Sequence, residues 1–247
     1  TENASELAQV KENGKLVIGI TEFAPLNYKA TDGSWTGFET EFAQAVCAEL
    51  GVNAEFQVIN WDSKISELNG KTIDCIWNGL TITEERQNNM DISNPYMENK
   101  QVMVTKAENA SKYTSADALK DATVVAEKKS AGEEVAQSDD FFKNANYVPV
   151  DSQAKSLLEV KSGTADIAVI DYVMSIGTIA NGTDYADLKV VEGKDFAPEQ
   201  YGIAFRKNSP ETLKKINDAI QELANDGTLN KIAEKYNLSD LILVEAK

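Results

Sequence analysis

Two rhythms of apolar positions alternate along the chain. Residues 16–20 (Leu-Val-Ile-Gly-Ile), 54–59 and 72–77 are short apolar runs that read as buried strands. Between the first two, Phe42, Ala43, Val46, Cys47 and Leu50 recur at helical spacing, which predicts a helix over 39–50 that Gly51 stops. A shorter helix over 62–68 leads through Gly70 into the third run. Residues 1–11 are polar and read as a loose arm or short helix. Residues 22–37 hold Pro25, Gly33 and Gly37 and read mostly as loop. Strands alternating with helices predict a mostly parallel sheet with helices on both faces.

The order then recurs. A strand ending at Ile59 is followed by a helix carrying Ile65 and Leu68, then Gly70, then Asp74 opening an apolar run. A strand ending at Val150 is followed by a helix carrying Leu157 and Leu158, then Gly163, then Asp166 opening another. One order used twice predicts two similar α/β lobes. Residues 101–105 and 200–205 read as strands that leave and re-enter the first lobe. Two terminal helices follow, the first with Leu213, Ile216, Ile220 and Leu223 on one face and Gly227 as its stop. They are expected to pack on the first lobe. The expected division is 1–96 plus 201–247 for one lobe and 101–197 for the other, with hinge segments at 95–101 and 197–201.

Charge and composition narrow the chemistry. The 247 residues suffice for two lobes, and the net charge of -16 argues against nucleic acid or an anionic membrane as partner. A soluble monomer is the expectation. The absence of histidine removes His-based metal sites and Ser-His or Cys-His nucleophile pairs, and neither metal nor cofactor is expected. Cys47 and Cys75 lie in apolar segments that suit small buried thiols; sequence leaves open whether they pair. No apolar run approaches membrane-spanning length.

A cleft between two such lobes collects residues at the carboxyl ends of strands. Four segments fall there. In 78–86 (Asn-Gly-Leu-Thr-Ile-Thr-Glu-Glu-Arg), Gly79 permits close backbone approach, Thr81 offers a hydroxyl and Thr83 caps a helix. Arg86 then sits in that helix's first turn, against the dipole, where a neighbouring anion would favour it. Asp171 ends the strand over 166–170 and suits either an ammonium group or a helix N-cap over 172–180. Glu22, Phe23 and Trp61 follow other strands, the two aromatics placed to sandwich a side chain or pack a loop. In 127–132, Lys128, Ala131 and Gly132 lie where a helix begins, a setting for anions but without phosphate-loop spacing.

These segments resemble the polar amino-acid-binding proteins of ABC importers, the glutamine- and histidine-binding type. The likeness rests on Gly37-Phe38-Glu39, Trp61-Asp62, the stretch from Asp74 to Arg86, Asp91-Ile92-Ser93, the stretch from Ala165 to Asp171, and 200–205. Residues 79–86 are its most specific part. The resemblance implies a two-lobed periplasmic-binding-protein fold, type II, joined by two hinge strands. It also implies a free amino acid as ligand, polar or cationic, and the permease of an ABC importer as partner. The protein would then work outside the cytoplasm, in a periplasm or tethered by an N-terminal lipid. Arg86 would clamp the α-carboxylate with the Thr81 and Gly132 N–H groups. Asp171 would hold the α-ammonium with the Gly79 carbonyl and the Thr81 hydroxyl. Phe23 and Trp61 would sandwich the side chain, and Glu22, Asn78 and Lys128 would read its tip. Glu39 departs from the more frequent Asp and reads as a helix-start variation. Ala131 lacks the hydroxyl of a Ser or Thr, and Ile170 is apolar where some members carry a side-chain reader. Two alternatives share the fold: a dehydratase of cyclohexadienyl acids, with Glu22 or Asp171 as general acid, and the sensing domain of a signalling receptor.

Overall fold

The computed structural model describes residues 4–247. In chain order, the first half comprises α1 (Ala4–Asn13), β1 (Lys15–Ile20), a ribbon of β2 (Tyr28–Lys29) and β3 (Trp35–Thr36), α2 (Phe38–Leu50), β4 (Asn53–Val58), α3 (Lys64–Asn69), β5 (Cys75–Thr81), α4 (Glu84–Asn89) and β6 (Met90–Ile92). Strand β7 (Met97–Lys106) leads to β8 (Thr123–Glu127), α5 (Ala131–Ser138), β9 (Asn146–Val150), α6 (Gln153–Ser162), β10 (Ile167–Asp171) and α7 (Tyr172–Thr178). Strand β11 (Leu188–Arg206) returns, and α8 (Pro210–Asn225) and α9 (Thr228–Lys235) close the chain.

The repeat in the sequence becomes a repeat in topology. The sheet runs β4-β1-β5-β11-β7-β10-β8-β9, with β6 added beside β11. Within each half, the first strand is flanked by the second and third, all parallel: β4-β1-β5 and β9-β8-β10. The aspartate of each repeat does the same work. Asp74 accepts from the Val17 N–H at 2.7 Å, and its own N–H bonds to the Val17 carbonyl at 2.7 Å. Asp166 accepts from the Thr123 N–H at 2.8 Å, and its own N–H bonds to the Thr123 carbonyl at 2.9 Å. Each thereby fastens the start of the central strand to its neighbour and satisfies backbone groups that the parallel ladder leaves over.

Period-two alternation sorts the strand side chains to two faces. In the first lobe Leu16, Ile18, Ile20, Cys75 and Trp77 join the main core, while Ile76 and Leu80 pack with Leu68 and Trp61 on the opposite face. In the second, Ala168 and Ile170 face the main core, and Ile167 and Val169 pack with Tyr113, Leu119 and Phe142. Helices α8 and α9 lie on α2, so the terminal helices cover the first lobe. Cys47 and Cys75 are both buried free thiols, and burial pushes Cys47 up to about 12.

Three strands differ from their sequence outlines. The run expected over 72–77 is strand only at Cys75–Thr81, because the Thr72 N–H is spent on the Glu67 carbonyl at 3.2 Å. It then continues through Asn78-Gly79-Leu80-Thr81, because β11 pairs along it, Tyr201 opposite Thr81 and Gly202 opposite Leu80. Strands β7 and β11 are likewise longer than their local patterns. They pair antiparallel with one another from Leu188 opposite Lys106 to Tyr201 opposite Met97, with irregular register between Val190 and Asp195 and again between Phe196 and Glu199.

Candidate ligand-binding site

The strand ends meet around a narrow cavity. Trp61, Asn78, Gly79, Thr81 and Arg86 line it from the first half of the chain, and Glu127, Ser130, Ala131, Gln153 and Asp171 from the second.

Arg86 is placed by α4. The Thr83 hydroxyl caps that helix, accepting from the Arg86 N–H at 3.2 Å. The guanidinium turns back along β5, where Nη1 donates to the Thr81 carbonyl at 2.7 Å. Its Nη2 reaches the Lys129 carbonyl, across the cleft, at 3.3 Å. Lys129 has a left-handed backbone, φ 61°. Its carbonyl also accepts from Lys64 Nζ at 3.2 Å, so two cations of the first lobe converge on one oxygen of the second. Burial pulls Lys64 down to about 7, with the Arg86 charge adding to the effect.

Asp171 ends β10 with its carboxylate fixed on several sides. It accepts from Asn99 Nδ2 at 3.1 Å, from Gln153 Nε2 at 3.0 Å and from Gln101 Nε2. It does not cap α7 with its side chain. Asn99 Oδ1 serves that role, accepting from the Val173 N–H at 3.1 Å, which leaves Asp171 free of the helix. Behind it, Glu199 on β11 accepts from Asn99 at 2.6 Å, Gln101 at 2.8 Å and the Thr81 hydroxyl at 2.9 Å. Burial raises the pKa of both carboxyls, and the charge of Asp171 raises Glu199 further.

Gly79 explains its own presence. Its φ is 57°, and a Cβ there would lie 2.7 Å from the Phe23 ring. Its N–H donates to the buried Glu39 carboxylate at 3.0 Å. Glu39 also accepts from Asn27 at 2.9 Å and from the Tyr96 hydroxyl. Burial pushes its pKa up to about 7. Glu39 is therefore more than a helix-start variation: it ties α2 to the bend of β5 beneath the cavity.

Of the residues expected from sequence, Trp61, Asn78, Gly79, Thr81, Arg86, Ala131 and Asp171 come together around the cavity. Four sit elsewhere. Glu22 is exposed, in the loop that follows β1. Phe23 is buried in the main core behind Gly79 and backs the site without lining it. Lys128 stands at the rim, paired with Asp62 at 3.2 Å. Gly132 is packed beneath the loop, where a Cβ would lie 2.7 Å from the Val169 carbonyl. Glu127, Ser130 and Gln153 line the cavity without having been singled out. Glu127 had a visible signal, a carboxylate closing an apolar run. For Gln153 the signal lay only in its partner, Asp171, 18 residues away.

A two-lobed α/β molecule with a polar cleft of this kind is built to enclose a small solute. Residues 16–239 match the model of the bacterial extracellular solute-binding proteins, family 3, and the chain belongs to that family. The L-cystine-binding protein TcyJ of Escherichia coli K12 is 31% identical over 95% of this chain and 87% of its own. A mutant of ArgBP from T. maritima superposes with TM-score 0.85 at 30% identity, over 94% of this chain and 99% of that one. An ancestral amino acid-binding protein, described as a precursor of cyclohexadienyl dehydratase, superposes with TM-score 0.83 at 33% identity, over 93% and 98% of the two chains. No helix among the described residues is long and apolar enough to cross a membrane.

Proposed function

We propose that this protein is an extracytoplasmic receptor that encloses one free amino acid, polar or cationic, and delivers it to the permease of an ABC importer. One observation carries the reading: Arg86 and Asp171 face one cavity from opposite lobes. Arg86 would take the α-carboxylate through its planar fork, helped by the Thr81 N–H. Asp171 would take the α-ammonium, with the Thr81 hydroxyl and Glu199 beside it. A ligand held at both ends stabilises the closed arrangement through its differential contacts. The paired strands β7 and β11 would act as the hinge, near residues 95–101 and 197–201, between a lobe of 1–96 plus 201–247 and one of 101–197. The family and the printed ligands of the relatives support an amino acid as cargo. The protein would work as a monomer, free in a periplasm or tethered by a lipid.

Thermal unfolding against a panel of the twenty amino acids tests the reading. One or a few should raise Tm markedly, and Arg86→Ala or Asp171→Asn should abolish the shift. A flat panel would remove the proposal.

A second reading has one observation in its favour. Glu127 is a buried carboxyl in the cavity with its pKa pushed up to about 8 by burial, a state suited to a general acid. In a dehydratase of the cyclohexadienyl type it would protonate the leaving hydroxyl, which departs as water while the ring carboxylate leaves as carbon dioxide and the electrons of that C–C bond aromatise the ring. Incubation with prephenate or arogenate decides it: aromatisation of the ring supports the enzyme, and an unchanged substrate leaves the receptor.

A further inference from the structure

Glu127 closes β8 and is 3% exposed, yet it lines the cavity. The cations around it are engaged elsewhere. Lys64 donates to the Trp61 and Lys129 carbonyls, Arg86 to those of Thr81 and Lys129, and Lys128 pairs with Asp62. Among the described residues, Glu127 makes no ion pair and accepts no side-chain hydrogen bond; its polar neighbour is the Gln153 backbone N–H. Asp171, by contrast, accepts from three side-chain amides.

A charge count of the cavity follows. It is lined by one cation, Arg86, and two carboxylates, Asp171 and Glu127. On the reading above, a zwitterionic head group would occupy Arg86 and Asp171. The carboxyl left without a partner is Glu127, and a buried carboxylate is stable only when paired.

We infer that Glu127 reads the ligand side chain and that the receptor selects an amino acid with a cationic side chain, an ammonium or a guanidinium. The inference rests on the amino-acid reading above and adds the side-chain class to it. The charged groups acting on Glu127 are Asp171 at the end of β10, Lys64 on α3 and Arg86 on α4. Asp171 favours the protonated form, and the two cations favour the ionised one. Burial dominates and keeps the proton on Glu127 up to about 8, so an arriving cation would expel it.

Isothermal calorimetry with matched ligand pairs tests this without a variant. Arginine and citrulline differ by guanidinium against urea, and lysine and norleucine by an ammonium. At least one pair should show the cation bound ~30-fold or more tightly, the scale of a buried charge pair. At pH 7 the heat of that binding should depend on the ionisation heat of the buffer, reporting proton release. Glu127→Gln should reduce the preference to a few-fold and lessen the proton release. Equal affinities within both pairs would overturn the inference, as would a preference unchanged in Glu127→Gln or a neutral amino acid binding more tightly than every cationic one. If no amino acid binds at all, the receptor reading falls with it.

Discussion

At the scale of single residues, burial raises the pKa of the carboxyls in and beneath the cleft. Glu39 and Glu127 hold their protons up to about 7 and about 8, and Asp171 and Glu199 are raised for the same reason. In an unfolded chain a Glu releases its proton near ~4.3. Between about pH 5 and 7 the unfolded chain therefore binds fewer protons than the folded one, and stability falls as pH rises. Lys64 opposes this trend only as pH nears 7, where its folded form begins to lose its proton. The free protein should melt at a lower temperature at pH 7 than at pH 5, and Glu127→Gln should make the slope shallower. Calorimetric melts across that range check it; a Tm that rises through the window contradicts the assignment. Arg86→Ala should weaken amino-acid binding by ~100-fold or more, read by titration, because it removes a charge-assisted partner from a buried site. The Lys128–Asp62 pair is exposed at the rim, so Asp62→Asn should change affinity by less than about fivefold.

At the scale of elements, β5 and α4 form the working unit. The strand must bend at Gly79, and the helix must start at Thr83, for Arg86 to turn back onto the Thr81 carbonyl. Gly79→Ala should destabilise by ~1–3 kcal/mol, since a side chain at φ 57° meets the Phe23 ring. Thr83→Ala should cost ~1 kcal/mol through the lost cap. Denaturant melts measure both. Much of this unit was legible. Thr83 announced a cap and Gly79 a close approach because those are local, backbone-level demands of the residue types. The strand character of residues 78–81 was hidden because its partner, β11, is more than 100 residues away. Asp171 illustrates the same limit. An aspartate at a helix start reads as a cap, and only the fold brings Asn99 in to take that role and release the carboxylate. The position of Glu22 after a strand points to the pocket, but sequence does not fix which way a loop side chain turns, and Glu22 is exposed.

At the scale of the whole molecule, the repeated order of strand, helix, Gly, Asp and strand predicts two like lobes, and Asp74 and Asp166 give the repeat a physical basis. What the pattern could not convey is that both halves share one sheet, because β11 pairs with β5 on one side and with β7 on the other. The cavity lies where strand ends of the two halves meet. The central claim is that the two ends of one zwitterion are held from opposite lobes. It is tested most directly by titrating the tightest-binding amino acid beside its decarboxylated amine and its deaminated acid. The amino acid should bind with one-to-one stoichiometry, and each analogue should bind at least ~100-fold more weakly, because each leaves Arg86 or Asp171 buried without its partner. An analogue lacking either group that binds as tightly as the amino acid would contradict the account.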